Sequence, residues 1–268
     1  MKNKKVILSV IMIVISLILI FPIYILFMTS FKPLKEVFTI SLVPQSPTLA
    51  NYTEVFSSSF MHSILVSFIV ATTVTAVALV FHAMAGYAIS RLRFPGRTVI
   101  FYIMISTMMV PFAVIMVPLF MVVKSFGMTN SYAGLIVPAI FNAYGIFLYR
   151  QFFMSFPKEL EEAAYMEGCS PAGTFFRIAF PLSKPIIIPL VIAFFLGNWN
   201  NYLWPLIVNK KEEFQVVQVA LANMVGSGYS TPWNILITSA AVAAIPTFIL
   251  FLLLQRHLVE GIKMSGIK

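Results

Sequence analysis

Aspartate is absent from this 268-residue chain, and charged residues of every kind make up only 10% of it. No G-x-x-x-x-G-K-[ST] phosphate loop occurs either. ATP hydrolysis needs a phosphate cradle and a carboxylate to hold the metal, so the chain cannot hydrolyse ATP alone and is expected to hold no cofactor of its own. Cysteine occurs once, at Cys169, which excludes an internal disulfide. The three histidines, His62, His82 and His257, are scattered without metal-ligand spacing. All four read as structural residues, and no metal site is expected.

Apolar residues fill the chain instead: 60% of it is hydrophobic, and the mean hydropathy is +0.94. A soluble domain carries about a quarter charged residues, so a water-soluble fold is excluded. A bilayer core of roughly 30 Å takes about 20 apolar helical residues per crossing. The charges leave six runs of that length, at 6–31, 55–90, 98–123, 125–149, 185–209 and 214–255. The spacing predicts an all-α integral membrane protein forming a single transmembrane domain over 1–268. Its six helices are expected at about 7–29, 62–89, 98–123, 132–151, 185–208 and 234–256. The last run could hold two crossings, but Ala222 to Trp233 carries turn-forming residues and a Thr-Pro break and reads as loop. Ser57-Ser58-Ser59 reads as the approach to the second helix.

Orientation follows from lysine and arginine. With the N-terminus inside, Lys2, Lys4, Lys5, Arg91, Arg93, Arg97, Arg150, Lys158, Arg177, Lys184, Arg256, Lys263 and Lys268 are cytoplasmic, and Lys32, Lys35, Lys124, Lys210 and Lys211 are outside. Thirteen against five predicts that both termini are cytoplasmic. A cleaved signal peptide is the rival reading of the first 30 residues, but the apolar run is too long and lacks a small-x-small cleavage site. The inside-facing excess accounts for the net charge of +9 without a nucleic-acid partner.

No Asp, Glu, Lys or Arg lies in the central part of any expected span, whereas ion-coupled carriers usually place ionisable groups there. A membrane-embedded enzyme would cluster His, Asp, Glu or Cys at one membrane face, and no such cluster is present. Neutral polar residues concentrate in the fifth helix, at Asn198, Asn200, Asn201, Tyr202 and Trp204. Amides that exchange hydrogen bonds with hydroxyls, beside ring faces, suit a polyhydroxylated ligand. An interfacial aromatic belt is the other reading of the same residues. On a continuous helix Asn198, Asn201 and Tyr202 share a face, which ranks them first as pathway residues. Prolines inside the spans (Pro22, Pro111, Pro118, Pro138, Pro189, Pro246) fit a kinked, moving bundle.

Between the fourth and fifth helices, 153–184 is too long for a simple connector and is expected to be a cytoplasmic helix-turn-helix. The first helix runs from Glu159 to Glu167 after Pro157, with Leu160, Ala163, Ala164 and Glu167 on one side and Gly168 ending it. Ser170-Pro171 caps a second, reaching about Ala179 before Pro181. Small alanines beside carboxylates suit close docking in a groove on another protein. An amphipathic helix lying on lipid would instead be dominated by basic residues.

Glu162-Ala163-Ala164, Gly168 four residues later, Ile178 and Pro181 resemble the E-A-A-x-x-x-G-x9-I-x-L-P signature of binding-protein-dependent ABC importer permeases. Phe180 stands at the usual leucine position, a conservative apolar departure. Ala85 to Arg97, Gln255 to Gly261 and Gly266-Ile267-Lys268 are similar to the G-type permeases of maltose transporters in the carbohydrate-uptake family. The resemblance implies a multi-pass permease of a bacterial or archaeal cytoplasmic membrane that moves sugars or oligosaccharides. Within the same importer class the alternative is a glycerol phosphate or other polar solute. A secondary carrier or channel is the rival class. The implied partners are a homologous second permease, two cytoplasmic ATPase subunits that bind ATP and magnesium, and an extracytoplasmic solute-binding protein. Glu162, Ala163, Ala164, Gly168, Ile178 and Pro181 would then couple the permease to the ATPases, and no residue performs bond chemistry.

Overall fold

The computed structural model describes residues 2–226 and 231–265, with side chains described between 5 and 256. All regular structure among these residues is helical. The helices are α1 (Lys2–Ser30), α2 (Ala50–Ser57), α3 (Phe60–Arg91), α4 (Arg97–Thr107), α5 (Phe112–Ser125), α6 (Tyr132–Ile140) and α7 (Ala143–Met154). They continue with α8 (Lys158–Met166), α9 (Pro171–Leu182), α10 (Lys184–Trp199), α11 (Leu203–Val208), α12 (Val217–Met224) and α13 (Trp233–Ser265). Lys5–Ser30, Phe60–Arg91, Tyr132–Met154 and Trp233–Arg256 are long and apolar enough to cross a bilayer. The pairs α4–α5 and α9–α10, bent by 104° and 75°, bring the candidates to six if each pair is one span.

Several expected helices are corrected in detail. The helix expected over 98–123 is broken at 108–111, where Pro111 offers no N–H and disfavours helical backbone at Val110. The helix expected over 132–151 is interrupted at Phe141 and Asn142, both extended, before the Asn142 side chain caps α7 by accepting from the Tyr144 N–H at 2.8 Å. The helix expected over 185–208 stops at Trp199 and restarts as α11. The last helix runs beyond 256 to Ser265. Ala222 to Met224, read as loop, ends α12, and α2 precedes the Ser58-Ser59 approach. Residues 227–230 of the expected loop and the final Gly266-Ile267-Lys268 lie outside the described residues.

The chain forms two compact units, one from Met1–Ile64 and Val217–Thr247, the other from Leu65–Val216 and Phe248–Lys268. In the first, the C-terminal end of α1 is sealed by side chains from distant helices. Ser30 O accepts from Asn51 Nδ2 at 3.0 Å and from Thr238 Oγ1 at 2.9 Å, and Asn51 also donates to Lys32 O at 2.9 Å. Asn234 Nδ2 completes the set by donating to Asn51 Oδ1 at 2.8 Å. A helix end leaves carbonyls without intrahelical partners, and a buried one needs such donors. The loop after α1 wraps the buried Lys32 ammonium, which donates to Thr39 O and Ser41 O. Glu36 holds the far side of the loop by accepting from the Gln45 and Ser46 N–H groups.

In the second unit α3, α7, α9 and α10 pack around Ala83, Tyr87, Tyr149, Phe153, Phe175, Ala179, Leu190 and Phe194. Gly86 allows the close approach of α3 to α7: a Cβ there would lie 2.6 Å from Tyr149 Cβ and 2.9 Å from Arg150 N. Between membrane helices such contact matters, because lipid tails are as apolar as leucine and association rests on van der Waals fit. His82 fills the α6–α7 break. Its Nε2 lies 2.7 Å from Ile140 O, and since a carbonyl only accepts, the ring donates from that nitrogen.

Candidate functional site

The hairpin of α8 and α9 forms from local signals. Gly168, with φ +79°, ends α8 by a left-handed turn: Cys169 N donates to Ala164 O at 2.9 Å and Gly168 N to Tyr165 O at 3.0 Å. Ser170 then caps α9, its hydroxyl oxygen accepting from Gly173 N at 3.1 Å, with Pro171 in the first turn. α9 does not stop before Pro181 as expected. It runs to Leu182 through a π-helical turn at Phe175–Ala179. Proline has no N–H and its ring clashes with the carbonyl four residues back, so a widened turn lets the chain pass Pro181 and still remain helical.

The faces of α8 differ from the expected ones. Glu161 and Ala164 are buried, whereas Leu160, Glu162, Ala163 and Glu167 are exposed. Glu161 Oε2 lies 3.4 Å from Arg91 Nε, each side chain only 9% exposed, and the Arg91 guanidinium also donates to Phe156 O. The last residue of α3 therefore clamps both the start of the hairpin and its first helix. On the far side, Ile178 packs against the α3–α7–α10 core and Pro181 is exposed. The signature residues thus divide into an outward set, Glu162, Ala163, Gly168 and Pro181, and an inward set, Ala164 and Ile178. Glu161 was missed by sequence reading. Its signal was local, since it lies three residues before the buried Ala164 and shares its face.

The polar residues of the fifth expected helix fall around its break. Asn198 is half-buried and its Nδ2 donates to Phe194 O at 2.8 Å. Asn200 is exposed, Asn201 half-buried and Tyr202 exposed, on the turn between α10 and α11. The shared face of Asn198, Asn201 and Tyr202 assumed a continuous helix and does not exist, because that helix ends at Trp199. Trp204 is 3% exposed and its Nε1 donates to Gly134 O at 2.9 Å, so it ties α11 to α6.

These features define a polytopic helical membrane protein whose α8–α9 hairpin is tied to α3 by the Arg91–Glu161 pair. Residues 83–264 match the family described as binding-protein-dependent transport system inner membrane component, and the chain belongs to that family as a permease subunit of an ABC importer. Membership implies ATPase and binding-protein partners in general. The arabinooligosaccharides transport system permease protein AraQ of Bacillus subtilis (strain 168) is 33% identical over 98% of this chain and 96% of that protein. The sn-glycerol-3-phosphate transport system permease protein UgpE of Escherichia coli O1:K1 / APEC is 32% identical over 91% of each. The fold is shared with a crystal structure of a bacterial ABC transporter involved in the import of the acidic polysaccharide alginate. That match has a TM-score of 0.84, 22% identity and coverage of 95% of this chain and 96% of that one.

Proposed function

We propose that this permease moves a sugar or oligosaccharide by alternating access, and that the α8–α9 hairpin receives the force. The observation that carries the reading is the hairpin itself. Its outer face presents Glu162 and Ala163, while the Arg91–Glu161 pair and the short bent link through Ser183 from α9 into α10 join it to the spans. In this reading six spans, with α4–α5 and α9–α10 each counted once, lie beside a homologous second permease, and both termini are cytoplasmic. Two ATPase subunits bind ATP and magnesium, and their closing pulls the hairpin. An extracytoplasmic binding protein delivers the solute. Ala164 and Ile178, turned inward, set the hairpin's shape rather than touch the ATPase.

A neutral solute is favoured over a glycerol phosphate because the α10–α11 turn offers amides and a phenol and no cation between Asn198 and Tyr202. The name of the arabinooligosaccharide relative supports the same choice. The test is uptake and ATPase activity of the reconstituted importer carrying Glu162→Lys or Gly168→Ile. A Cβ at Gly168 would meet nothing within 4 Å in this chain, so only its left-handed backbone, at about 1 kcal/mol, opposes a side chain from within. Uncoupling beyond that small cost must arise at the ATPase. Glu162→Lys should weaken ATPase association in a salt-sensitive way. Normal uptake and substrate-stimulated hydrolysis in both variants would refute the coupling role.

A further inference from the structure

We propose that the basic groove between α8 and the α3–α4 turn binds the phosphodiester headgroup of an anionic phospholipid. The groove, of 460 Å³, is lined by Arg91, Arg93, Arg97 and Lys158 against Glu161 and Glu162, four cations and two carboxylates. Arg91 is already committed to Glu161. Of the three remaining cations at most one is offset by Glu162, so the groove keeps a positive charge of two or more. Arg93 and Lys158 are exposed, and Arg97 donates back to Leu92 O at 3.1 Å.

Position selects a lipid rather than a soluble anion. α3 ends at Arg91 and α4 begins at Arg97, so these side chains stand where two apolar helices leave the hydrocarbon, the level of lipid phosphates. A second, open surface hollow of about 710 Å³ shares Arg93 and Arg97 and continues over Phe94 and Val99, 37% and 60% exposed. A phosphate among the arginines with its glycerol and acyl chains running along Phe94 and Val99 fits this sequence of charged and then apolar surface. A free anion would leave the apolar part unused. This goes beyond the transport reading and holds whichever solute is carried.

The test uses the whole importer purified in mild detergent, delipidated, and titrated with dioleoylphosphatidylglycerol or dioleoylphosphatidylcholine while retained lipid is counted by native mass spectrometry. Phosphatidylglycerol should be retained on the order of tenfold better than phosphatidylcholine. Arg93→Gln with Arg97→Gln should abolish that preference, and Arg93→Lys with Arg97→Lys should keep most of it. The ATPase subunits should stay bound throughout, which separates this outcome from failure of the hairpin reading. Equal retention of the two lipids, an unchanged preference in the double glutamine variant, or full displacement by millimolar inorganic phosphate would overturn the proposal. Loss of the ATPase subunits with lipid preference intact would also overturn it, assigning the groove to an acidic protein surface.

Discussion

The Arg91–Glu161 pair is a buried contact that is costly to break one-sidedly. Removing one partner of a buried ion pair strands the other charge, typically at about 3–5 kcal/mol, while replacing both is far milder. Glu161→Gln should therefore lower the thermal unfolding temperature more than the Arg91→Gln, Glu161→Gln double variant does. Strict additivity of the two single changes would show that the pair is not coupled. Glu36, in the loop after α1, works the other way round, through pH. Burial raises its carboxyl pKa, but the Ser46 and Gln45 hydrogen bonds and the Lys35 charge outweigh that and hold it below its ordinary range. A lowered native pKa contributes stability that is present above the unfolded value and is lost as pH falls through the native one. Glu36→Gln should thus destabilise the protein at neutral pH and converge with the unaltered chain in acid, as thermal melts across pH would reveal.

At the scale of elements, what was legible in the sequence was whatever local chemistry decides. α8, its glycine stop and the Ser170 cap need only their own neighbours, and they form where the spacing predicts. The long apolar runs were legible for the same reason. The break at 108–111 had a local signal in Pro111, but the Phe141–Asn142 break did not, because it is filled by His82, some 60 residues earlier. The inward turn of Glu161 had a local cue in its i,i+3 relation to Ala164, but hydropathy alone hides it, since a carboxylate reads as outward until Arg91 is placed beside it. The α10–α11 turn is the element to probe for solute recognition. Asn201→Ala should lower sugar uptake with the complex still assembled, whereas Trp204→Ala should damage assembly first, having lost its bond to Gly134 and its buried indole. Unchanged uptake kinetics for alanine at both Asn198 and Asn201 would remove this turn from the pathway.

For the whole molecule the first matter is orientation. A cysteine introduced at Ser155 just after α7, in a chain whose Cys169 is replaced by serine, should resist an impermeant thiol reagent added to intact cells and react once the membrane is opened. Labelling from outside would invert the topology. The second matter is time. Ser30 is bonded to Thr238, 208 residues further along, and Asn51 to Asn234, 183 residues along. A ribosome adding roughly 5–20 residues each second needs about ten to forty seconds to supply the second half of that lock. Throughout that interval the nascent chain carries the end of α1 with its carbonyls only half served. The first unit is thus begun by α1 and fastened only when α13 arrives, so any stall in synthesis between them leaves a chain that is already inserted but not yet fastened.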